Sequence, residues 1–173
     1  MEIKESLVLL NIYLKKKKIK RSFVICGGAS LILQGIIART TKDIDIVAPP
    51  IDDALREAAE SVAEDLGLDS HWLNCGPASI VKDLKVGWDK RVQIIFKESN
   101  LIVYSISRED LIFSKFWALC DRKKDRQDLI ELRPSLDELN IAIEYTKTKD
   151  GNPSWPEWVE MQGQILKKDL GYE

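Results

Sequence analysis

Two aspartates stand one residue apart in this chain, about one helix length after a glycine pair: Asp43 and Asp45 follow Gly27 and Gly28. Side chains at i and i+2 of a strand point to the same face, so the two carboxylates are expected to project together. Like charges on one face repel, which favours a bound cation. A glycine turn can bring backbone N–H groups and a helix N-terminus up to phosphates, while carboxylate oxygens suit Mg²⁺. The spacing therefore indicates a site for a metal–nucleotide complex.

Both features also have a purely structural interpretation. The aspartates could form a solvent-facing pair on an edge strand. The glycines could form an ordinary strand-to-helix turn that requires positive φ. The functional interpretation of the glycine turn depends on whether the N–H and hydroxyl of Ser30 face the same pocket.

The elements that must position these residues follow from hydrophobic periodicity and turn signals. The first part of the chain predicts a helix over 2–18, a strand Phe23–Cys26, a helix Ala29–Gln34, a strand Asp43–Ala48, a helix over 52–66 and a helical turn Ser79–Leu84. The rest predicts a hairpin of Arg91–Phe96 with Leu101–Ile106, then helices from Ser107, over Arg126–Leu132, from Ser135 to Thr146 and over Trp155–Leu170. This order predicts an α+β fold: a small mixed β-sheet flanked by helices, with a helical C-terminal part over about 108–173 in one domain spanning 1–173.

Composition limits the classes of function. The 173 residues, 45% hydrophobic and 31% charged with net charge −2, are typical of one globular domain. Basic residues cluster at 15–18 with Lys20 and Arg21, and again over Arg122–Lys124 with Arg126. The first cluster is either a solvated helix end or a groove wall that attracts phosphates or RNA. The three cysteines are too scattered for a disulfide framework or a zinc site. No apolar stretch approaches the ~20 residues that span a bilayer and the start lacks a signal-peptide pattern, so we expect a cytoplasmic protein without a membrane partner.

The glycine and aspartate motifs, in this order, resemble those of the nucleotidyltransferase superfamily, which has the DNA polymerase beta-like fold. The matching motifs are Gly27-Gly28-x-Ser30 and Arg39-x-Thr41-x-Asp43-Ile44-Asp45. The chain is most similar to the small prokaryotic branch near the AbiEii-type abortive-infection toxins, including an uncharacterised bacterial family. Further matching features are Gly87-Trp88-x-x-Arg91, Glu109-Asp110-Leu111-x-x-x-Lys115, Arg122-Lys123-Lys124-Asp125-x-x-Asp128-Leu129 and Asn152-Pro153-x-Trp155-Pro156. The resemblance covers the chain from about residue 20 to its end.

The resemblance implies a nucleoside triphosphate substrate and Mg²⁺ or Mn²⁺ as cofactor. It assigns metal binding and catalysis to Asp43 and Asp45, and gives Lys115 a catalytic role against phosphate charge. The implied nucleotide contacts are Gly27, Gly28, Ser30, Arg39 and Thr41. By itself, Lys115 could equally be a lysine that reaches solvent from an apolar helix face.

One departure from the family pattern leaves the activity open. A third acid is expected on the strand over 91–96, where the outward-pointing residue is Gln93, whose amide cannot accept a proton. Asp125 and Asp128 are weaker candidates to replace it, although their spacing is typical of surface salt bridges; Asp89 and Glu98 are further candidates.

Two functions are therefore weighed. The first is Mg²⁺-dependent transfer of a nucleoside monophosphate to RNA, with tRNA the first acceptor to try, or to protein. The second is a catalytically impaired module of the same fold that binds a nucleotide or a partner in a toxin–antitoxin or defence system. In that system its partner would be a cognate antitoxin or toxin.

Overall fold

The structure, a computed structural model, describes residues 2–172, which form two compact units. The first unit takes in the chain through Lys82 together with Val86–Ile106, and the second takes in Asp83–Lys85 and the residues from Ser107 onward. Over the described residues, the first unit contains the β-sheet and the second contains α-helices. The single domain expected over 1–173 stays a prediction.

The order of elements follows the sequence-based expectation closely. The first unit contains α1 (Ile3–Lys16), β1 (Arg21–Cys26), α2 (Gly27–Leu33), β2 (Ile44–Ala48), α3 (Asp53–Leu66), β3 (Leu73–Asn74), 3₁₀ turns Gly76–Lys82 and Trp88–Lys90, β4 (Gln93–Lys97) and β5 (Leu101–Ser105). The second unit contains α4 (Arg108–Arg122), α5 (Arg126–Leu132), α6 (Leu136–Lys147) and α7 (Trp155–Asp169). The short strand β3 was not predicted.

The five strands form one mixed sheet in the order β3-β2-β1-β5-β4. The central strand β1 is antiparallel to β2 and parallel to β5, while β2 is parallel to β3 and β4 is antiparallel to β5. Helix α3 connects the parallel pair β2 and β3, as a crossover between parallel strands requires. The predicted α+β class is confirmed: a small mixed sheet flanked by helices, with a helical C-terminal part.

The core of the first unit lies where α1 and α3 pack on one face of the sheet. Alternate residues of the central strands point into it, as the period of two requires. Its fully buried members include Leu7, Leu10, Phe23, Ile25, Ile44, Ile46, Val62, Trp72, Leu101 and Val103. Since β2 buries Ile44 and Ile46 on this face, the intervening Asp45 is directed to the other face.

Polar contacts fix the edges of this packing. The Asp52 side chain caps α3 by accepting from the Leu55 N–H and pairs with Arg21 at 2.7 Å, at the start of β1. The capping bond from Leu55 and the Arg21 guanidinium lower the pKa of Asp52. Asn100, in the β4–β5 turn, accepts a bond at its backbone from Arg21 and donates its side-chain amide to the Ile19 carbonyl.

In the second unit, side-chain caps start two of the helices. Ser107 caps α4 by accepting from the Asp110 N–H, and Ser135 and Glu138 form a capping box at α6. Glu138 also accepts from Arg108 at 2.8 Å, and this guanidinium is the main reason that the pKa of Glu138 is lowered. The residues from which the sequence predicts these two helices, Ser107 and Ser135, are therefore their N-caps.

Candidate functional site

The glycine pair lies directly against the second aspartate. Strand β1 ends at Cys26, which pairs in register with Asp45 on the antiparallel β2, so the next residue, Gly27, faces the Asp45 side chain. Gly27 has φ +71°, and a Cβ built there would lie 2.8 Å from Asp45 Oδ2. A glycine is therefore required both for the left-handed backbone and for the space in front of the carboxylate.

The second glycine faces a guanidinium and a hydroxyl. A Cβ at Gly28 would lie 3.4 Å from Arg39 Nη2 and 3.7 Å from Thr41 Oγ1. Thr41 in turn donates its hydroxyl to Asp43 Oδ1 at 3.1 Å. Asp43 precedes β2 by one residue and is exposed, whereas Asp45 lies inside β2 and is half-buried. Both aspartates thus lie next to the glycine pair, Asp45 directly and Asp43 through its hydrogen bond with Thr41.

Asn74 is the residue of this site that the sequence interpretation missed. It ends the two-residue strand β3, pairs in register with Asp45, and donates its side-chain amide to Asp45 Oδ1 at 3.2 Å. The only local signal was an Asn two residues before Gly76, which is typical of a turn. Its proximity to Asp45 depends on the pairing of β3 with β2, which the local sequence does not encode.

Ser30 lies in the same turn, but its hydroxyl is committed elsewhere. The residue is fully buried, and its Oγ lies 2.6 Å from the Ser105 hydroxyl and accepts from the Gln34 side chain at 3.0 Å. Because the Ser105 proton is donated to the Ile106 carbonyl, the Ser30 proton must be donated to Ser105. The sequence predicts that Ser30 contacts the nucleotide, whereas in the structure its hydroxyl takes part in a chain of hydrogen bonds in the interior.

Gln93 does not lie on a strand next to the aspartates. It is exposed on β4 at the far edge of the sheet, where it pairs with Ser105 on β5. Ser105 pairs with Ile25 on β1, and Ile25 pairs with Ile46 on β2. Three strand spacings therefore separate β4 from β2, about 14 Å at the usual spacing. The strand neighbour of Asp45 on its other side carries the amide of Asn74.

Lys115, Asp125 and Asp128 lie together in the second unit. The Lys115 side chain is 7% exposed, and its ammonium pairs with Asp128 at 2.7 Å and with Asp125 at 3.1 Å. Asp128 is itself buried, while Asp125 is half-buried and begins α5 with φ +68°. The structure brings these three candidates together as an ion-pair cluster in which Lys115 is enclosed by carboxylates. Their roles in catalysis stay predictions.

The residues around the glycine pair fit a divalent cation. Two carboxylates supply hard oxygen ligands, and the missing side chain at Gly27 lets the Asp45 carboxylate lie against the glycine turn. Within residues 2–172, no group of three or more Asp, Glu, His or Cys side chains is arranged to hold a metal ion. A cation here would thus have two protein carboxylates and would draw its remaining ligands from substrate and water.

The second unit offers no activated thiol as an alternative. Burial raises the pKa of Cys120 to about 12, so this side chain stays a neutral thiol at physiological pH and is a poor nucleophile.

Over residues 2–172, no helix combines the length and apolar character needed to cross a membrane.

Comparison with known proteins agrees with this geometry. The model of a family described as "Nucleotidyltransferase of unknown function (DUF6036)" matches residues 2–148. The search of curated proteins found no match, and neither did the search of solved structures. Closeness to the AbiEii-type toxins stays a prediction. The matched residues span most of the chain and both units, and the chain therefore belongs to this nucleotidyltransferase family.

Proposed function

We propose that this protein is a Mg²⁺-dependent nucleotidyltransferase that binds a nucleoside triphosphate at the glycine pair and transfers the nucleoside monophosphate to RNA, with tRNA as the first acceptor to test. The observation that carries the proposal is the division of charge around the glycine pair. Asp45 faces Gly27, and Arg39 faces Gly28. A metal–triphosphate complex has the complementary division, because its cation requires carboxylates and its phosphates require a guanidinium.

The reaction would be an in-line displacement at phosphorus. The oxygen of an acceptor hydroxyl bonds to the α-phosphorus, the bond to the oxygen of the β-phosphate breaks, pyrophosphate leaves, and the hydroxyl proton passes to a base. Such transfers depend mainly on positioning and charge stabilisation. Asp43 and Asp45 would hold Mg²⁺, which supplies charge neutralisation for the phosphates when bound.

The remaining residues of the site would orient the nucleotide. Arg39 can form two parallel bonds to phosphate oxygens, and Thr41 holds Asp43 through its hydroxyl. The missing side chains of Gly27 and Gly28 let phosphates approach the backbone closely. Lys115 with Asp125 and Asp128 remains the proposed second group of functional residues, in the helical unit.

An RNA acceptor is supported by the basic cluster at the end of α1. Lys15, Lys18 and Lys20 are exposed and, unlike Lys17, which pairs with Glu57, have no carboxylate partner among residues 2–172. They lie near the start of β1, about 20 Å along the six-residue strand from Gly27. A phosphate backbone could span this distance, and lysines that bind it would make the affinity salt-dependent.

The second candidate function is nucleotide or partner binding without transfer, in a toxin–antitoxin or defence system. It is favoured by Asn74, because the residue that contacts Asp45 from the neighbouring strand is an amide that cannot accept a proton. The two candidates agree on nucleotide binding and differ in whether a product forms.

Calorimetry with ATP, GTP, CTP and UTP, with and without Mg²⁺, tests binding first. We expect Mg²⁺-dependent heat with at least one nucleotide, and its loss in Asp43→Ala/Asp45→Ala. The matched control is Glu60→Ala/Glu64→Ala, which removes the same charge from exposed positions of α3 in the same unit. Absence of Mg²⁺-dependent binding in the unaltered protein would refute both candidates.

Incubation with α-labelled nucleotides and total RNA tests transfer. Label on RNA that is lost in the aspartate double variant supports the enzyme, and label that persists in it would show that other residues are catalytic. Lys15→Glu/Lys18→Glu/Lys20→Glu should reduce RNA labelling while nucleotide binding is retained. Binding without label on RNA or protein favours the second candidate.

A further inference from the structure

Asn74 is held in one orientation by three neighbours. Its Oδ1 accepts from the Gly76 N–H at 2.7 Å, and its Nδ2 donates to Asp45 Oδ1 at 3.2 Å and approaches the His71 carbonyl at 3.5 Å. If the amide oxygen and nitrogen were exchanged, the NH₂ group would face the Gly76 N–H. The amide oxygen would then face two other oxygens, Asp45 Oδ1 and the His71 carbonyl. The network therefore decides the orientation, and the NH₂ group must face the carboxylate.

The two oxygens of Asp45 have different surroundings. Oδ1 accepts from Asn74, whereas Oδ2 lies close to Gly27, where a Cβ would be only 2.8 Å away. The carboxylate is thus held by a donor on one side and lies against the glycine turn on the other. Its strand pairing fixes the backbone at the same point, because Asp45 is in register with both Cys26 and Asn74.

We propose that Asn74 is the positioning residue of the metal site, holding the Asp45 carboxylate through Oδ1 in the orientation in which it binds the divalent cation; this rests on the proposed function. Partners that hydrogen-bond a metal-binding carboxylate fix its geometry, and their loss weakens metal binding. The amide suits this role better than an acid would, because it donates to Asp45 and adds no negative charge next to it. Gly76 belongs to the same arrangement, since its N–H fixes the amide.

The test measures Mn²⁺ binding to the full chain, alone and with a nonhydrolysable ATP analogue. Asn74→Ala is expected to raise the Mn²⁺ dissociation constant about tenfold or more, the usual effect of removing such a partner. Gly76→Ala should act in the same direction through another residue, because a Cβ there would lie 2.9 Å from Asn74 Oδ1. Neither change removes a metal ligand.

The matched control is Asn152→Ala. Asn152 makes the same type of turn, with its Oδ1 accepting from the backbone N–H two residues later, but it lies in the second unit. Its replacement should leave Mn²⁺ binding unchanged. In NMR spectra of the unaltered protein, Mn²⁺ should broaden the side-chain NH₂ signal of Asn74, because this amide donates to Asp45. This signal locates the cation, and the melting temperatures of the variants without metal separate a positioning role from a merely structural one.

The outcomes separate this inference from the proposed function. If the unaltered protein binds no Mn²⁺ with or without the analogue, or if Mn²⁺ spares the Asn74 signal, the metal site itself is refuted. If Mn²⁺ binds at Asn74 but Asn74→Ala and Gly76→Ala bind it as well as the unaltered protein does, only the positioning role is refuted. Weaker binding in both variants, with unchanged melting temperatures without metal, supports the inference.

Discussion

Replacement of Gly27 by alanine should destabilise the first unit in two separable ways. At φ +71°, a side chain costs about 1–2 kcal/mol, because its Cβ crowds the following carbonyl. The new Cβ would also lie 2.8 Å from Asp45 Oδ2, so the carboxylate must turn away and lose its bond from Asn74. A hydrogen bond to a charged group contributes about 1.5–3 kcal/mol. Together these terms predict a loss of about 2.5–5 kcal/mol in the free energy of unfolding.

Gly67 provides the matched control. It ends α3 in the same unit with φ +61°, and a Cβ there would meet no atom within 4 Å. Gly67→Ala therefore reports the cost of the left-handed backbone alone, about 1–2 kcal/mol. The excess cost of Gly27→Ala over Gly67→Ala measures the collision with Asp45.

Urea unfolding followed by tryptophan fluorescence gives the required free energies, since Trp72 is fully buried in the core of this unit. In an Asp45→Ala background, Gly27→Ala should cost no more than Gly67→Ala. Two results would refute the reasoning: equal costs of the two glycine replacements in the unaltered protein, or an excess cost of Gly27→Ala that persists without the Asp45 carboxylate.

Three further predictions concern charged side chains. Asp128→Ala should lower the free energy of unfolding by about 3–5 kcal/mol, because it leaves the buried Lys115 ammonium without its closer partner. Lys115→Met/Asp128→Leu should regain most of the resulting loss in melting temperature. A small effect of Asp128→Ala alone would contradict this. Arg39→Ala should weaken binding of the Mg²⁺–nucleotide complex in calorimetry while Mn²⁺ alone binds normally, and equal losses for both would show that Arg39 does not contact phosphate. Glu138→Gln should cost about 1 kcal/mol at neutral pH. Arg108 lowers the pKa of Glu138 in the folded protein, so this contribution is present above the unfolded pKa of 4.5 and is lost as the pH falls through the folded pKa. The stabilities of the two proteins should therefore converge in acid. A stability difference that persists in acid would assign the effect to packing.

The elements could be predicted wherever the signal is local. Ser107, Ser135 and Asp52 were readable as helix starts because a cap acts within three residues of itself. Asp45 could be predicted as a strand residue from the apolar residues on either side of it, whereas Asp43, also predicted within the strand, lies one residue before β2. Strand β3 could not be predicted, since two residues have no periodicity and Leu73-Asn74 precedes a Gly76 turn. Its pairing with β2 depends on the crossover through α3, which is a long-range property.

The direction of individual side chains is the second feature that could not be predicted from the sequence. Ser30 follows the glycine pair in the expected motif, but the pattern does not say whether its hydroxyl faces a pocket or Ser105, 75 residues away. Gln93 is singled out by its place on the predicted strand over 91–96, while the sheet order that separates β4 from β2 follows from pairings between distant segments. In both cases the missing information was a contact between residues far apart in the chain.

Under the proposed function, the charges around the glycine pair make binding of the cation and binding of the triphosphate depend on each other. Asp43 and Asp45 repel a triphosphate that arrives without a cation, and Arg39 alone does not offset two carboxylates. A cation that arrives alone finds two carboxylates and no third acid among residues 2–172. Each ligand therefore supplies what the other lacks, and the affinity of either must rise when the other is bound. Because binding free energies are linked, the factor by which Mg²⁺ tightens the nucleotide must equal the factor by which the nucleotide tightens Mg²⁺. A third carboxylate would have strengthened binding of the metal ion without a nucleotide. With the amide of Asn74 in that place, the proposed site favours the metal ion and the nucleotide bound together.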